Sequence, residues 1–408
     1  MISEFVTEIE NGAELINLWR CSLNSKVGSS GAQTIAYKLI DNTSVKRLFI
    51  GNNNIGAKGA EAIADMLEVN TTIREIDMHG NDIGNNGLIC IAKALISNRN
   101  ICVKKVNLDH NNIDREGIYA FARMLKYNTS IKTINLRNNE LDGAAVEALA
   151  RVLKSDNSSV EEIDLGWNRL NREGGARAVA DMLRGNTSIK KISLDGNYLK
   201  DENIKIIAGG LRDNASVREI HLEHTGIWSS GAQAIADMLK ANTTIQRIYM
   251  AHNNVGVEGS KAVAEMLKIN TSIQMIDLSE NKIMREGAMF IADGLKSNIS
   301  VQTLNLDSNY IWCCGAYAIA DMLIVNSALQ HIDLGRNKIK EDAAQALKGA
   351  VKINPYIKIR CKRERAIFFS SAKRKRGNLK KLSKRAAVEI TKQVPTVLLR
   401  RIKKEINI

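Results

Sequence analysis

A unit of about 28 residues recurs along the chain, and this repetition constrains the fold more than any other feature of the sequence. The clearest copies begin at Ile73, Ile131, Ile273 and Val301 and read IREIDMHGNDIGNNG, IKTINLRNNELDG, IQMIDLSENKIMREG and VQTLNLDSNYIWCCG. Each follows I-x-x-I-x-L-x-x-N-x-I, with related apolar residues at the apolar positions, and a glycine follows. Twelve units can be counted, and ten of them carry asparagine at the N position. We therefore expect an extended array rather than a fold around one core.

Each unit changes its apolar period halfway along. The I-x-L stretch alternates every second residue, as a strand does, whereas GAEAIADMLEVN at 59–70 and GAQAIADMLKAN at 231–242 place apolar residues at helical spacing. A strand and a helix repeated in this order require parallel strand pairing. No proline, the strongest interruption of both elements, precedes Pro355. The sequence predicts an α/β solenoid curved into a horseshoe, with parallel strands on its concave face and helices on its convex face.

The recurring asparagine has a predicted structural role. Where the chain leaves each strand, backbone groups lose their partners, and a carboxamide offers both donors and an acceptor to replace them. Cys21 and Thr225, which stand at this position in two units, can do so only in part. We expect Asn281→Ala to destabilise the protein, and Asn298, interpreted as a surface residue, to tolerate the same change. Triplets such as Asn70-Thr-Thr match the glycosylation pattern, but they recur with the unit and are interpreted as part of it.

These strand segments, together with G-A-x-A-I-A-x-x-L helices, resemble the ribonuclease-inhibitor class of leucine-rich repeats over residues 13–360. Related arrays occur in ribonuclease inhibitor, NOD-like receptors and the GTPase-activating protein for Ran. The resemblance implies a non-enzymatic scaffold that binds other proteins, although such scaffolds carry many functions. We divide the chain into a repeat domain at 1–360, of about twelve units plus a partial one, and a basic tail at 361–408.

Side-chain alternation places two rows of residues on the concave face: the x of I-x-L and the residue after L. Carboxylates dominate both rows, and Arg137 is the one base among twenty-four positions. A merely solvated face is one interpretation, but like charges on strands about 5 Å apart oppose folding, which favours a basic protein partner. Exposed aromatic residues would anchor it. The predicted partner-binding residues are Trp19, Phe49, Asp77, His79, Asp109, Arg137, Asp164, Asp195, His221, Glu223, Tyr249, Asp277, Asp307 and Asp333.

No catalytic or cofactor motif is visible: the chain has no glycine-rich phosphate loop, nucleophile elbow or HExxH. We expect neither an enzyme nor a cofactor. The histidines His221, His224 and His252 could approach metal-ligand distance near Glu223, but no closed ligand set is apparent, and we expect no metal site. The alternative function is regulation of a GTPase, as in the Ran activators. Those proteins carry an acidic tail, whereas this chain ends in a basic one.

The whole net charge of +14 lies in residues 360–408, which hold 17 lysines and arginines against 3 glutamates. Basic runs there resemble a nuclear-import signal and equally suit nucleic acid. A basic amphipathic helix beyond Pro395 suits an anionic membrane or an acidic groove, including the protein's own concave face. A disordered, solubilising tail is the remaining interpretation. The residues singled out in the tail are Lys373, Arg374, Lys375, Arg376, Lys380, Lys381, Arg400 and Arg401.

Two further expectations concern the cell and the end of the array. The first twelve residues hold three glutamates and no apolar signal segment, and the six cysteines have no framework spacing, which favours a cytoplasmic protein. The basic tail makes the nucleus an alternative location. Because a solenoid needs capped ends, we expect Phe368 and Phe369 to cover the last repeat.

Overall fold

A computed structural model describes residues 2–19, 27–96, 102–157, 159–172, 174–361 and 367–368. In these residues fourteen short strands form one sheet. The strands are β1 Leu15–Asn17, β2 Arg47–Phe49, β3 Glu75–Asp77, β4 Lys105–Asn107, β5 Thr133–Asn135, β6 Glu162–Asp164, β7 Lys191–Ser193, β8 Glu219–His221, β9 Arg247–Tyr249, β10 Met275–Asp277, β11 Thr303–Asn305, β12 His331–Asp333, β13 Lys358–Arg360 and β14 Ile367–Phe368.

A helix follows each of the strands β1 to β12, and one precedes β1. Consecutive helices pack against one another along the array. None of the helices in the described residues is long and apolar enough to cross a membrane. The α-helices are α1 Ile2–Glu10, α2 Gly28–Leu39, α3 Gly56–Val69, α4 Gly84–Ile96, α5 Arg115–Tyr127, α6 Gly143–Arg151, α7 Gly175–Gly185, α8 Lys200–Leu211, α9 Ser229–Ala241, α10 Gly256–Leu267, α11 Met284–Lys296, α12 Trp312–Val325 and α13 Glu341–Ile353.

The sheet is open, and its strands lie side by side in chain order. Strands β1 to β13 pair in parallel with a constant register, so that Ile276 of β10 lies opposite Ile248 of β9 and Leu304 of β11. The strand–helix solenoid that the repeat predicts is confirmed. Beyond β13, the short strand β14 pairs antiparallel and places Phe368 opposite Ile359. Phe369 and the basic residues of the tail from Lys373 to Arg401 lie outside the described residues.

Side-chain size explains how closely the helices stack. The middle residue of each strand, such as Ile276, is fully buried together with the alanines and leucines of the helices. Gly210 of α8 lies so close to α7 that an added Cβ would be 2.5 Å from the carbonyl oxygen of Ala180. Glycine and alanine at such positions allow backbones to approach where a larger side chain would separate them. The alanine-rich helical pattern of the repeat therefore sets the spacing of the array.

The predicted asparagine ladder is confirmed. The Nδ2 group of Asn281 donates to the carbonyl oxygens of Met250 in the preceding unit, at 2.7 Å, and of Ser279 in its own, at 2.9 Å. The same pattern recurs from Asn53 to Asn337. The hydroxyl of Thr225 lies 2.7 Å from the carbonyl oxygen of Leu222 in its own unit and 3.4 Å from Asn253 Oδ1 in the next, and among the described residues it makes no hydrogen bond to the preceding unit. A hydroxyl therefore replaces the carboxamide in part, as expected, whereas Cys21 lies outside the described residues.

A second asparagine ladder, at the start of each strand segment, corrects one expectation. Asn298 is not a surface residue, because it is 5% exposed and its Nδ2 group donates to the carbonyl of Leu267 at 2.8 Å. Its Oδ1 atom accepts from the backbone N–H of Val301 at 2.8 Å. Asn70 and Asn270, which begin glycosylation-like triplets, occupy the same buried position in other units. The asparagine of these triplets therefore makes a structural hydrogen bond and does not serve as a glycan acceptor.

In units that are longer than 28 residues, the additional residues lie in the helical half of the unit. Asn139 and Asn168 are 29 residues apart, whereas Asn253, Asn281 and Asn309 follow one another at 28. The extended unit contains a single π-helical turn, Val152–Asp156, directly after α6. A π-helical turn accommodates one more residue than an α-helical turn. Pairing of β5 with β6 therefore keeps the register found elsewhere.

Candidate functional site

The face of the sheet that points away from the helices, here called the open face, carries three rows of side chains. They are the first residue of each strand, the third residue, and the second residue after the strand. The middle strand residue is buried in every one of β1 to β13, so its neighbours point outward. The last two rows are those read as concave from the sequence. All fourteen predicted partner-binding residues lie in them.

The first row was missed by the sequence analysis, although alternation over one more position would have found it. It places bases among the acids of the open face, which reduces the expected acidic bias. Lys191 lies 2.8 Å from Glu219 on the next strand, and Arg247 approaches the same carboxylate from the other side at 2.5 Å. The charged residues of this row are Arg47, Glu75, Lys105, Glu162, Lys191, Glu219, Arg247 and Lys358.

Near the first strands, Trp19 and His79 come together. Their rings lie edge to face, with centroids 5.9 Å apart. The Nδ1 atom of His79 is 2.7 Å from Asp77 Oδ1, and its Nε2 atom is 2.8 Å from Asn52 Nδ2. The hydrogen bond with Asp77 raises the pKa of His79 above its ordinary value. Phe49 is half-buried on the neighbouring strand.

Burial affects both the hydrogen bonding and the pKa of Asp109. Its Oδ1 atom is buried and has no hydrogen-bond partner among the described residues. Burial raises the pKa of this carboxyl, and the charge of Arg137 offsets that effect only in part. A carboxylate that is desolvated without compensating hydrogen bonds is costly to keep ionised. Asp109 therefore has one carboxylate oxygen whose hydrogen bonding is not satisfied among the described residues.

Arg137 organises the centre of the open face. Its Nη1 atom lies 3.3 Å from Asp195 Oδ2 and 3.8 Å from Asp164 Oδ2. The guanidinium also lies over the ring of Trp167, 5.9 Å from its centroid. Trp167 is 39% exposed at the edge of this charged cluster. An arginine and an exposed tryptophan are thus adjacent at the centre of the array.

Asp195, His221 and Glu223 converge next to Arg137. Burial and the adjacent Glu223 carboxylate raise the pKa of Asp195 to about 7. Burial opposes ionisation of Glu223, but the imidazole of His221 outweighs it and holds the Glu223 pKa at about 2. The Oε2 atom of Glu223 is buried and has no hydrogen-bond partner among the described residues.

Glu219 fixes the orientation of His221 from the other side. His221 Nε2 lies 2.8 Å from Glu219 Oε1, and its ring stacks on Tyr249 with centroids 4.2 Å apart. Burial opposes ionisation of Glu219, but hydrogen bonds from His221, Lys191 and Arg247 hold its pKa at about 2. Glu219 is therefore a permanent anion that accepts from the imidazole.

His224 and His252 do not form the metal site weighed from the sequence. Their rings are stacked, with centroids 4.2 Å apart and planes 13° from parallel. Imidazole nitrogens bind metals in the ring plane, so two stacked rings do not direct their nitrogens at one ion between them. His252 instead pairs through Nδ1 with Glu280 Oε2 at 3.0 Å.

Towards the C-terminal strands, the predicted aspartates already have donors. Asp277 accepts from the hydroxyl of Ser279 at 2.7 Å. Asp333 pairs with Arg360 at 2.8 Å, and Asp307 pairs with Arg336, which the sequence analysis did not single out. The predicted acidic rows therefore differ along the array: the C-terminal carboxylates are compensated within the chain, whereas Asp109 and Glu223 each have one oxygen without a partner in the part of the chain that the structure describes.

Comparisons with known proteins agree with this architecture. The sequence profile described as Leucine Rich repeat matches residues 41–64, 69–92, 99–122, 127–150 and 241–264. No curated protein matches the sequence. Among solved structures, a chain of the Rad7 and Elc1 complex in yeast is similar in fold, with 14% identity, coverage of 90% of both chains and a TM-score of 0.51.

Two shorter structures match part of the array. Actin-binding site 2 of leiomodin-1 is 19% identical and covers 37% of this chain and 87% of its own, with a TM-score of 0.33. The C-terminal domain of tropomodulin from Caenorhabditis elegans is 11% identical and covers 51% of this chain and 92% of its own, with a TM-score of 0.30.

Proposed function

Because the chain is a leucine-rich-repeat protein, we propose that it is a non-enzymatic interaction scaffold that binds a basic protein partner at the centre of its open face. One observation carries this proposal. Two buried carboxylate oxygens, Asp109 Oδ1 and Glu223 Oε2, face the same side of the sheet and have no hydrogen-bond partner among the described residues. Lysine or arginine side chains of a partner would supply the missing donors.

The free energy of a buried, unsatisfied acceptor favours partner binding over the interpretation of a merely solvated face. A buried acceptor without a donor costs about 1 to 3 kcal/mol, and the cost is recovered when a donor arrives. Asp109 follows β4 and Glu223 follows β8, so about 19 Å separate them at ordinary strand spacing. That span fits the width of a specific protein interface, which buries about 800 Å² on each partner.

Trp167 is the proposed anchor of the interface. It lies between Asp109 and Glu223 along the array, is exposed, and is supported from one side by Arg137. Tryptophan and arginine dominate the binding energy of many protein interfaces when a partner covers them. The C-terminal strands are less suited to a basic partner, because Arg336 and Arg360 already occupy Asp307 and Asp333.

Affinity capture with the full-length protein tests this proposal. Trp167→Ala removes the anchor, and Tyr119→Ala on helix α5, which is also exposed, is the matched control on the opposite side. We expect proteins retained by the unchanged chain to be lost from Trp167→Ala and retained by Tyr119→Ala. With the purified partner, the loss should reach about thirtyfold, as for other central aromatic residues.

Charge and salt provide the second arm of the test. Replacing both Asp109 and Glu223 by their amides should weaken binding, and raising salt should weaken binding to the unchanged chain more than to that double variant. Retention that depends on Tyr119 and not on Trp167 would place binding on the helical side and contradict the proposal.

Two other functions stay predictions. Many-fold acceleration of phosphate release from Ran-type GTPases would support GTPase regulation. Loss of lipid and nucleic-acid binding on truncation at residue 360 would support a tether through the tail, whose basic residues lie outside the described residues.

A further inference from the structure

Asp195, His221 and Glu223 lie on neighbouring repeats and offer three ligand atoms to one point. One atom from each side chain lies within 4.8 Å of the other two. Their side chains are 12%, 18% and 23% exposed, respectively, so the group is largely shielded from water. Among the residues that the structure describes, no other set of three histidine, cysteine or acidic side chains converges in this way.

The imidazole of His221 is oriented as a metal ligand is. Its Nε2 atom donates to the ionised Glu219 at 2.8 Å, and Tyr249 fixes the plane of the ring by stacking. When Nδ1 is deprotonated, as metal binding requires, its lone pair points towards Glu223. Metal-bound histidines generally donate their second nitrogen to a carboxylate in this manner, which fixes the tautomer and strengthens the ligand.

The distance between His221 and Glu223 suits two ligands of one ion better than a hydrogen bond. His221 Nδ1 and Glu223 Oε1 are 3.6 Å apart. Hydrogen bonds of this kind are shorter, up to about 3.2 Å. Two ligands about 2.1 Å from a tetrahedral zinc ion are about 3.4 Å apart. The second oxygen of Glu223 is buried without a partner among the described residues, so both of its oxygens can face a cation.

Asp195 completes the set from the preceding repeat. Its Oδ1 atom accepts from the backbone N–H of Glu223 at 3.0 Å, and Oδ2 accepts from the hydroxyl of Ser193 at 3.1 Å. Arg137 is 3.3 Å from the same Oδ2 atom. Each carboxylate oxygen carries two lone pairs, so these contacts hold Asp195 in place and leave it able to bind a cation through one oxygen.

We propose that Asp195, His221 and Glu223 bind one divalent transition-metal ion of the zinc type, with an open fourth position on the open face. The proposal rests on this geometry and not on the proposed partner binding. One nitrogen and two oxygen ligands with a vacant position form the ligand set of zinc sites that keep an exchangeable ligand. Magnesium and calcium favour sets made of oxygen alone.

His79, on the same face, does not form such a site. Its Nδ1 atom is 2.7 Å from Asp77, and its Nε2 atom is 2.8 Å from Asn52, so both ring nitrogens are occupied. His79 therefore serves as the matched control for His221: it lies on the same face, it contacts a carboxylate, and it offers no nitrogen to an ion.

Calorimetric titration of the chelator-washed, full-length protein with Zn²⁺ tests the site. We expect saturable binding of one ion attributable to the cluster. His221→Phe keeps a ring against Tyr249 and should abolish that binding, and Glu223→Gln should weaken it at least about tenfold. His79→Phe should leave it unchanged, and so should replacement of Cys313 and Cys314, two adjacent thiols in the first turn of α12, by serine. Circular dichroism verifies that each variant is folded.

Nitrogen-15 spectra of the histidines give a second readout. Zn²⁺ should shift the Nδ1 resonance of His221 and leave that of His79 in place. Absence of saturable binding, or binding that persists in both His221→Phe and Glu223→Gln, would show that the cluster holds protons only or that zinc binds elsewhere. Equal binding of Mg²⁺ and Zn²⁺ by the cluster would overturn its assignment to a transition metal.

Discussion

The backbone N–H of Asn281 donates a 2.8 Å hydrogen bond to the side-chain Oδ1 atom of Asn309, one full repeat later in the chain. Asn281 in turn donates its own side-chain N–H groups to carbonyls in its own unit and in the preceding one. Asn281 thus connects three consecutive units. Both side-chain atoms are satisfied inside a buried turn, where no solvent could replace them.

Asn281→Ala should lower the free energy of unfolding by about 1 to 3 kcal/mol, because carbonyls of Met250 and Ser279 lose their donors in a buried place. Asn86→Ala is the control, since Asn86 is exposed within α4 and alanine favours helices. Urea denaturation measures the free energy of unfolding of both variants. If the two variants unfold at the same urea concentration, the ladder has no stabilising role.

Asn298→Ala should also destabilise the protein by about 1 to 3 kcal/mol, because the carbonyl of Leu267 and the N–H of Val301 lose their partner. The adjacent Ser297, exposed at the end of α11, provides a control in Ser297→Ala. Thermal denaturation followed by circular dichroism distinguishes them. A melting temperature unchanged in Asn298→Ala would return this asparagine to the surface role expected from the sequence.

Two neighbouring glycines of α8 should respond oppositely to alanine. At Gly210 an added Cβ would meet backbone atoms of Ala180 at 2.5 and 2.6 Å, so Gly210→Ala should cost about 1 to 3 kcal/mol. At Gly209 nothing lies within 4 Å, and Gly209→Ala should stabilise the helix by about 0.5 to 1 kcal/mol. Unfolding in urea measures both changes. Shifts of the same sign would contradict the close approach of α7 and α8.

The His79–Asp77 pair should make stability depend on pH in a defined direction. The pKa of His79 is raised by its hydrogen bond to Asp77, with Asp109 adding a smaller effect, so this stabilisation is complete below about pH 6.5 and is lost as pH rises through the folded value. The pKa of Asp77 is lowered: burial opposes this, and the His79 hydrogen bond outweighs it. Its contribution is lost in acid, as pH falls below about 3.9 through the folded value.

Asp77→Asn should therefore destabilise the protein more at about pH 5 than at about pH 9. The NMR titration midpoint of His79 should fall in this variant. His331 on β12, whose pKa is lowered by burial and the nearby Lys358, has no contact with Asp77 and is the internal control. A His79 midpoint that does not move, or one that moves together with that of His331, would refute the role of the pair.

The fold was predictable because the apolar alternation and the asparagine that follows it recur along the chain. The I-x-L alternation places Ile276 in the core, and the asparagine at position 281 marks the turn that follows. The second ladder was missed although it recurs equally, because Asn298 begins an Asn-Ile-Ser triplet whose polar ends suggest a surface. The π-helical turn after α6 was also not predicted, since one extra residue could have been accommodated elsewhere in the unit.

For the candidate site, the sequence predicted the row of the open face in which each residue lies, but not which side chains contact one another. Asp195, His221 and Glu223 were placed on the correct face, but only the register of β7 and β8 determines that their ligand atoms meet. Glu219, which orients His221, belongs to the row that the sequence analysis omitted. Pairing of Asp307 with Arg336 depends on a side chain in the loop after β12, whose direction no strand pattern specifies.

The constant register of β1 to β13 has a consequence for how such a protein changes over time. Because every strand pairs with the next in the same alignment, and extra residues enter only beside the helices, gene recombination can delete or copy one whole unit without disturbing the neighbouring hydrogen bonds. Each such event shortens or lengthens the open face by about 4.8 Å. The length of the surface that this protein offers to a partner can therefore change in steps of one strand spacing.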